Sequence, residues 1–171
     1  MKRKIHNAYA DIAEYHCFGC SPTNPIGLKL HFWEEGEWVY AKWMPEKWYE
    51  GYLNVLHGGI QATLLDEIAD WVLIVKLKTS GVTKNLNITY LKPVYVSQGE
   101  ITIRAKLVSH EDNSAITYAE LMDKEGVVRS HAEIEYFAFP QEVAKQKYFF
   151  PEPEKFFEHS DNTDETLNIN H

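Results

Sequence analysis

The fold class this chain predicts is α+β, one long helix wrapped by an antiparallel β-sheet of about six strands. Three observations point there. A single segment, Leu56 to Val75, carries helical apolar periodicity over a helix-sized length. Short alternating segments separated by turn residues stand on both sides of it. Their order, a hairpin before the helix and a run of strands after it, suits a sheet that packs one face on the helix.

The helix is the most informative stretch. Ile60, Leu64, Ile68, Trp71 and Val75 recur at three- and four-residue steps, and Leu65, Ala69, Val72 and Leu73 widen the apolar surface beyond one stripe. Such a helix has to be enclosed. A further face carries Gly59, Ala62, Thr63, Asp66 and Asp70, a lane of small residues leading to a carboxylate. Asp is a weak helix former, and a like-charge pair four residues apart costs roughly 0.2–0.5 kcal/mol on an isolated helix. Asp66 therefore calls for a reason. A solvated helix edge is the bland one. The small-residue lane and the His57-Gly58-Gly59 entry favour a site, because the glycine N–H groups fall among the unpaired donors of a helix start, where a developing oxyanion is stabilised.

The remaining elements follow in order. Residues 1–15 read as a short lead-in helix, with Ile5, Tyr9 and Ile12 at helical spacing. His16 to Leu28 is a turn-rich loop holding the only two cysteines, Cys17 and Cys20. Zinc wants more ligands than one C-x-x-C pair supplies and a redox pair precedes a helix, so two thiols packing a loop, with no metal, is the expectation. On that expectation chelators leave activity unaltered. Leu28–Phe32 and Trp38–Trp43 form a hairpin about the polar turn Glu34–Glu37, and an aromatic connection (Trp48, Tyr49, Tyr52) enters the helix. Aromatics under a loop either wall a pocket or simply pack. Strands are expected over Val82–Leu91, Glu100–His110, Ala115–Met122 and Val127–Phe139, with Arg104 and Lys106 on a solvated face. Gln141–Lys147 is a short amphipathic helix, followed by a polar, acidic tail. The expected organisation is one domain over 1–140 and a C-terminal extension over 141–171.

With 171 residues the chain can bury a core without disulfide or metal staples. A net charge of -8 argues against nucleic-acid and anionic-membrane partners. The longest apolar run, Trp71 to Val75, is too short to span a bilayer, and no signal-peptide core follows Met1-Lys2-Arg3-Lys4. A cytoplasmic location is the expectation.

At this point the residues resemble a known family, the hotdog-fold acyl-CoA thioesterases, in particular the branch of 4-hydroxybenzoyl-CoA and phenylacetate-pathway enzymes. The resemblance runs from about Cys17 to Phe139 and rests on His57-Gly58-Gly59 with Asp66 in HGGIQATLLDE, on the strand GVTKNLNITYLKP, and on CFGC followed by NPIGL. It implies that Asp66 is the catalytic carboxylate, as nucleophile or general base. It further implies that the Gly58 N–H polarises the thioester carbonyl and that Thr83 orients water or the carboxylate. His57 shapes the helix entry; with Gly59, Asn54 and Asn24 it completes the expected substrate contacts. Relatives carry Asn or Gln six residues before the His, where this chain has Gly51, so Asn54 and Asn24 are the substitutes considered. The reaction needs no cofactor, since a thioester already has a good leaving group. No G-x-S-x-G elbow supports a serine hydrolase.

The alternatives are a hotdog dehydratase or hydratase, which pairs a catalytic His with a carboxylate, and a non-catalytic acyl-CoA-binding module. A homodimer or dimer of dimers is expected. Gly58 and Asp66 lie eight residues apart on one helix, about 12 Å at about 1.5 Å per residue, too far for one thioester to touch both.

Overall fold

A computed structural model describes residues 2–157. Its strands are β1 (Lys2–Ile5), β2 (Phe32–Glu35), β3 (Trp38–Trp43), β4 (Gly81–Tyr90), β5 (Ile101–Glu111), β6 (Ser114–Met122) and β7 (Val128–Ala138). Its α-helices are α1 (Gly58–Val72), prolonged by a π-helical turn over Leu73–Leu77, and α2 (Gln141–Tyr148). The seven strands form one antiparallel sheet in the order β1-β2-β3-β5-β6-β7-β4.

The sheet curls around α1, whose Leu64, Leu65, Ile68, Ala69, Trp71 and Val72 are at most 1% exposed. Each large side chain so enclosed contributes about 1.5–3 kcal/mol relative to exposure. The facing strands supply inward rows at every second residue, as in Ile101, Ile103, Ala105 of β5 and Ala132, Ile134, Tyr136, Ala138 of β7. Among the described residues no helix is long and apolar enough to cross a membrane.

Three expectations need correction. The lead-in is not a helix: Lys2–Ile5 pairs with Phe32–Glu35 as an edge strand, with one 3-10 turn at Ala8–Asp11 after it. The strand reads as polar because its cations have specific partners, Lys2 over the rings of Trp33 and Tyr40 and Arg3 on Glu34. This strand also raises the sheet from six strands to seven. The first hairpin is shifted: Glu34 and Glu35 lie in β2 and the turn is Gly36-Glu37, with Gly36 at φ +61. Lys76 holds Glu34 at 2.6 Å, and the positive φ of Lys29 keeps Leu28–His31 from extending although Leu28 and Leu30 are buried.

Beyond residue 140, Ala144, Phe150 and Phe156 join the main core, and Phe156 meets Trp71 edge to face at 5.9 Å. The tail from 158 onward lies outside the described residues. Arg104 is not merely solvated; it bonds Glu120 at 2.7 Å and stacks on Trp38.

Candidate active site

His57 caps α1: its Nδ1 accepts the Gly59 N–H at 2.8 Å, so the ring organises the helix start. Among the described residues no hydrogen bond or ion pair joins it to a carboxylate of its own chain. The cap also occupies one of the two glycine donors expected to be free. Gly59 therefore does not offer its N–H to a ligand, whereas the Gly58 N–H has no acceptor among the described residues. The Gly58 carbonyl is held by the Tyr90 hydroxyl at 2.8 Å.

Two turns on, Asp66 is held from β4 and β7. The Thr83 hydroxyl donates to its Oδ1 at 3.0 Å. The Tyr136 hydroxyl lies 2.9 Å from the same oxygen and 2.8 Å from the Asp66 carbonyl. Two hydroxyls on one oxygen fix the carboxylate plane and leave Oδ2 without a partner among the described residues. Tyr136 escaped the sequence reading, although a hydroxyl on the inward row of β7 is a signal. Burial, with the Asp66 charge second, holds its pKa well above the ordinary tyrosine value, so it remains a donor.

Two of the expected contact residues have partners within the chain. The Asn54 side chain binds Ser97 through both amide atoms at 2.9 Å, tying two loops together. Asn24 bonds the His16 carbonyl and the Ile26 N–H, folding its own loop. Both amides are consumed as turn-formers. The aromatic connection, by contrast, is not plain packing: Trp48 is 76% and Tyr52 85% exposed. A cleft of about 440 Å³ opens there, lined by Trp48, Tyr49, His57, Gly59, Ile60 and Thr63.

Asp70 continues the carboxylate lane and sits badly. Its Oδ1 is buried without a hydrogen-bond partner among the described residues. Burial, then the Asp66 charge and the Cys17 thiol, push its pKa up to about 7, and Tyr9, Glu67 and Tyr136 are the other titratable groups coupled to it. The folded value exceeds the unfolded one, so the folded state prefers the proton and stability is lost as pH rises from about 4 through about 7. Asp70→Asn is expected to raise Tm by several degrees at pH 8 and hardly at all at pH 4. Thermal melts at both pH values check this, and a gain independent of pH contradicts it.

The fold and this carboxylate-bearing helix define a hotdog domain, and comparison with known proteins names the class. Residues 53–130 match the family model of the Thioesterase superfamily. Acyl-coenzyme A thioesterase 13 of Mus musculus is 32% identical over 80 residues, 46% of this chain and 56% of that protein. The chain thus spans little more than half the length of that relative. A solved thioesterase superfamily protein superposes with a TM-score of 0.65 at 22% identity, covering 71% of this chain and 60% of that one. A Bacillus halodurans protein solved with CoA gives a TM-score of 0.54 at 25% identity, over 58% of this chain and 70% of that one.

Proposed function

We propose that the protein is an acyl-CoA thioesterase, hydrolysing a thioester to a free acid and CoA. The observation that carries this is Asp66, a helix carboxylate fixed by Thr83 and Tyr136 with one oxygen left for water or substrate, in a segment that matches the Thioesterase superfamily. The relatives named for acyl-CoA hydrolysis and solved with CoA support the substrate class. In this reading Asp66 acts as nucleophile or as general base on water, and the free Gly58 N–H, at the positive end of α1, receives the charge developing on the carbonyl oxygen. The cleft beside Trp48, Tyr49 and Ile60 takes the acyl chain.

The active unit is a homodimer, alone or paired as a dimer of dimers, with sites shared between protomers. Within one chain the Gly58 donor and Asp66 stand about 12 Å apart along α1. Strand β4 is a sheet edge, mostly exposed and carrying a single charged residue, Lys84, with Val82 46% and Tyr90 50% exposed. A two-fold axis beside this edge sets two α1 helices antiparallel and brings each Gly58 to the other chain's Asp66.

Thiol release from a panel of aromatic and short- to long-chain acyl-CoAs tests the activity. Saturable turnover on at least one acyl-CoA is expected. Tight acyl-CoA binding with no thiol released across the panel would instead establish a binding module.

A further inference from the structure

The His16–Leu28 loop meets α1 at Glu67, and there the chain assembles a donor set the sequence did not reveal. The sulfurs of Cys17 and Cys20 and a carboxylate oxygen of Glu67 lie within 4.8 Å of one another. We propose that Cys17, Cys20 and Glu67 are the protein ligands of a divalent metal ion of the zinc class, which staples this loop to the central helix one residue from Asp66.

Distances come first. The Cys17 sulfur is 3.5 Å and 3.4 Å from the two Glu67 oxygens. A tetrahedral ion with bonds of about 2.3 Å to sulfur and about 2.0 Å to oxygen has a sulfur–oxygen edge of about 3.5 Å. The Cys17–Glu67 pair stands at the separation a metal needs, and Cys20 lies within 4.8 Å of both.

Electrostatics comes second. Three groups that can each carry a negative charge are gathered here, yet among the described residues no lysine or arginine pairs with them. Glu67 receives the Trp71 indole N–H at 3.1 Å and the Cys17 thiol, and Cys20 meets the Tyr15 hydroxyl at 2.9 Å. Donors of this kind enclosed together without a cation are costly, and a small divalent ion satisfies all three at once.

The surroundings fit. The N–H groups of Gly19 and Cys20 face the Cys17 sulfur, and the Trp71 N–H fixes the Glu67 carboxylate, as outer partners do around metal ligands. A Cβ at Gly19 would fall 2.3 Å from Glu67 Oε2, so only glycine lets the loop close on the carboxylate. The Tyr15 hydroxyl or a water entering past half-buried Cys17 completes four-coordination. Binding expels the two thiol protons, and any proton on Glu67, to solvent, and leaves the site with one net negative charge.

The test uses the full reduced chain with zinc and cobalt chlorides as probes. Elemental analysis after dialysis against micromolar zinc should find one zinc per chain. Cobalt should give a thiolate charge-transfer band, and zinc should raise Tm. Cys17→Ser with Cys20→Ser should abolish the band, and Glu67→Gln should weaken zinc by at least about tenfold. Circular dichroism confirms that the variants fold, and the wild-type cobalt spectrum stands without them. Any of three results overturns the proposal: no bound metal at micromolar zinc, undiminished binding in the folded double serine variant or in Glu67→Gln, or a Cys17–Cys20 disulfide that persists under reductant.

Discussion

Asp66→Asn is expected to lower kcat on the best acyl-CoA by about 10²–10⁴-fold, the range a positioned acid–base group supplies. The fold should survive. The asparagine carbonyl can still accept from Thr83 and Tyr136, so what is lost is the charge and the basicity of the free oxygen. Thr83→Ala removes one of the two hydroxyls and leaves Tyr136 in place, so its loss should be smaller, tenfold or more but below that of Asp66→Asn. The comparison is made with steady-state kinetics and melting curves on the same preparations. Wild-type turnover in Asp66→Asn would remove the carboxylate from the chemistry, and an unchanged rate in Thr83→Ala would leave Tyr136 as its sole positioning group.

An equally large effect is expected at the other end of the helix. A bulky residue at Gly58, such as valine, meets the Tyr90 ring, which a Cβ there already approaches to 3.5 Å, and fills the space in front of the N–H. Turnover should fall as far as in Asp66→Asn. Mixing the two inactive proteins then discriminates shared from self-contained sites. If each site joins Gly58 of one protomer to Asp66 of the other, an exchanged heterodimer has one interface with both groups intact and regains up to half of a wild-type dimer's activity. Mass spectrometry establishes exchange. Exchanged but inactive heterodimers would show that each chain keeps both groups to itself.

The long elements were legible because their patterns are redundant. The periodicity of 60–75 and the alternation within the last four strands each repeat the same message many times, and their observed bounds differ from expectation by one or two residues. Strand β1 was not legible: a four-residue edge strand with three cations has no apolar alternation, and only its pairing with β2 identifies it. The Asp66–Thr83 pair was readable from the helix lane and the resemblance. Tyr136 and Glu67 were harder. Each comes into play through a partner distant in sequence, 70 residues away for Tyr136 to Asp66 and 50 for Cys17 to Glu67. The partners of Asn54 and Asn24 were not legible either: Asn24 folds its own turn, and Asn54 reaches Ser97 43 residues away.

The two margins of the sheet are unlike, and that difference limits how the molecule can grow. On β1 the run Lys2-Arg3-Lys4 lines the rim with positive charge, the kind of guard that discourages a further strand from adding there. On β4 the rim is ten residues long and nearly uncharged. A ribbon with one receptive border has a valency of one. Once two copies have met along β4, both outward borders are the guarded kind, so edge-to-edge association terminates at a pair and an open-ended fibre has no place to start.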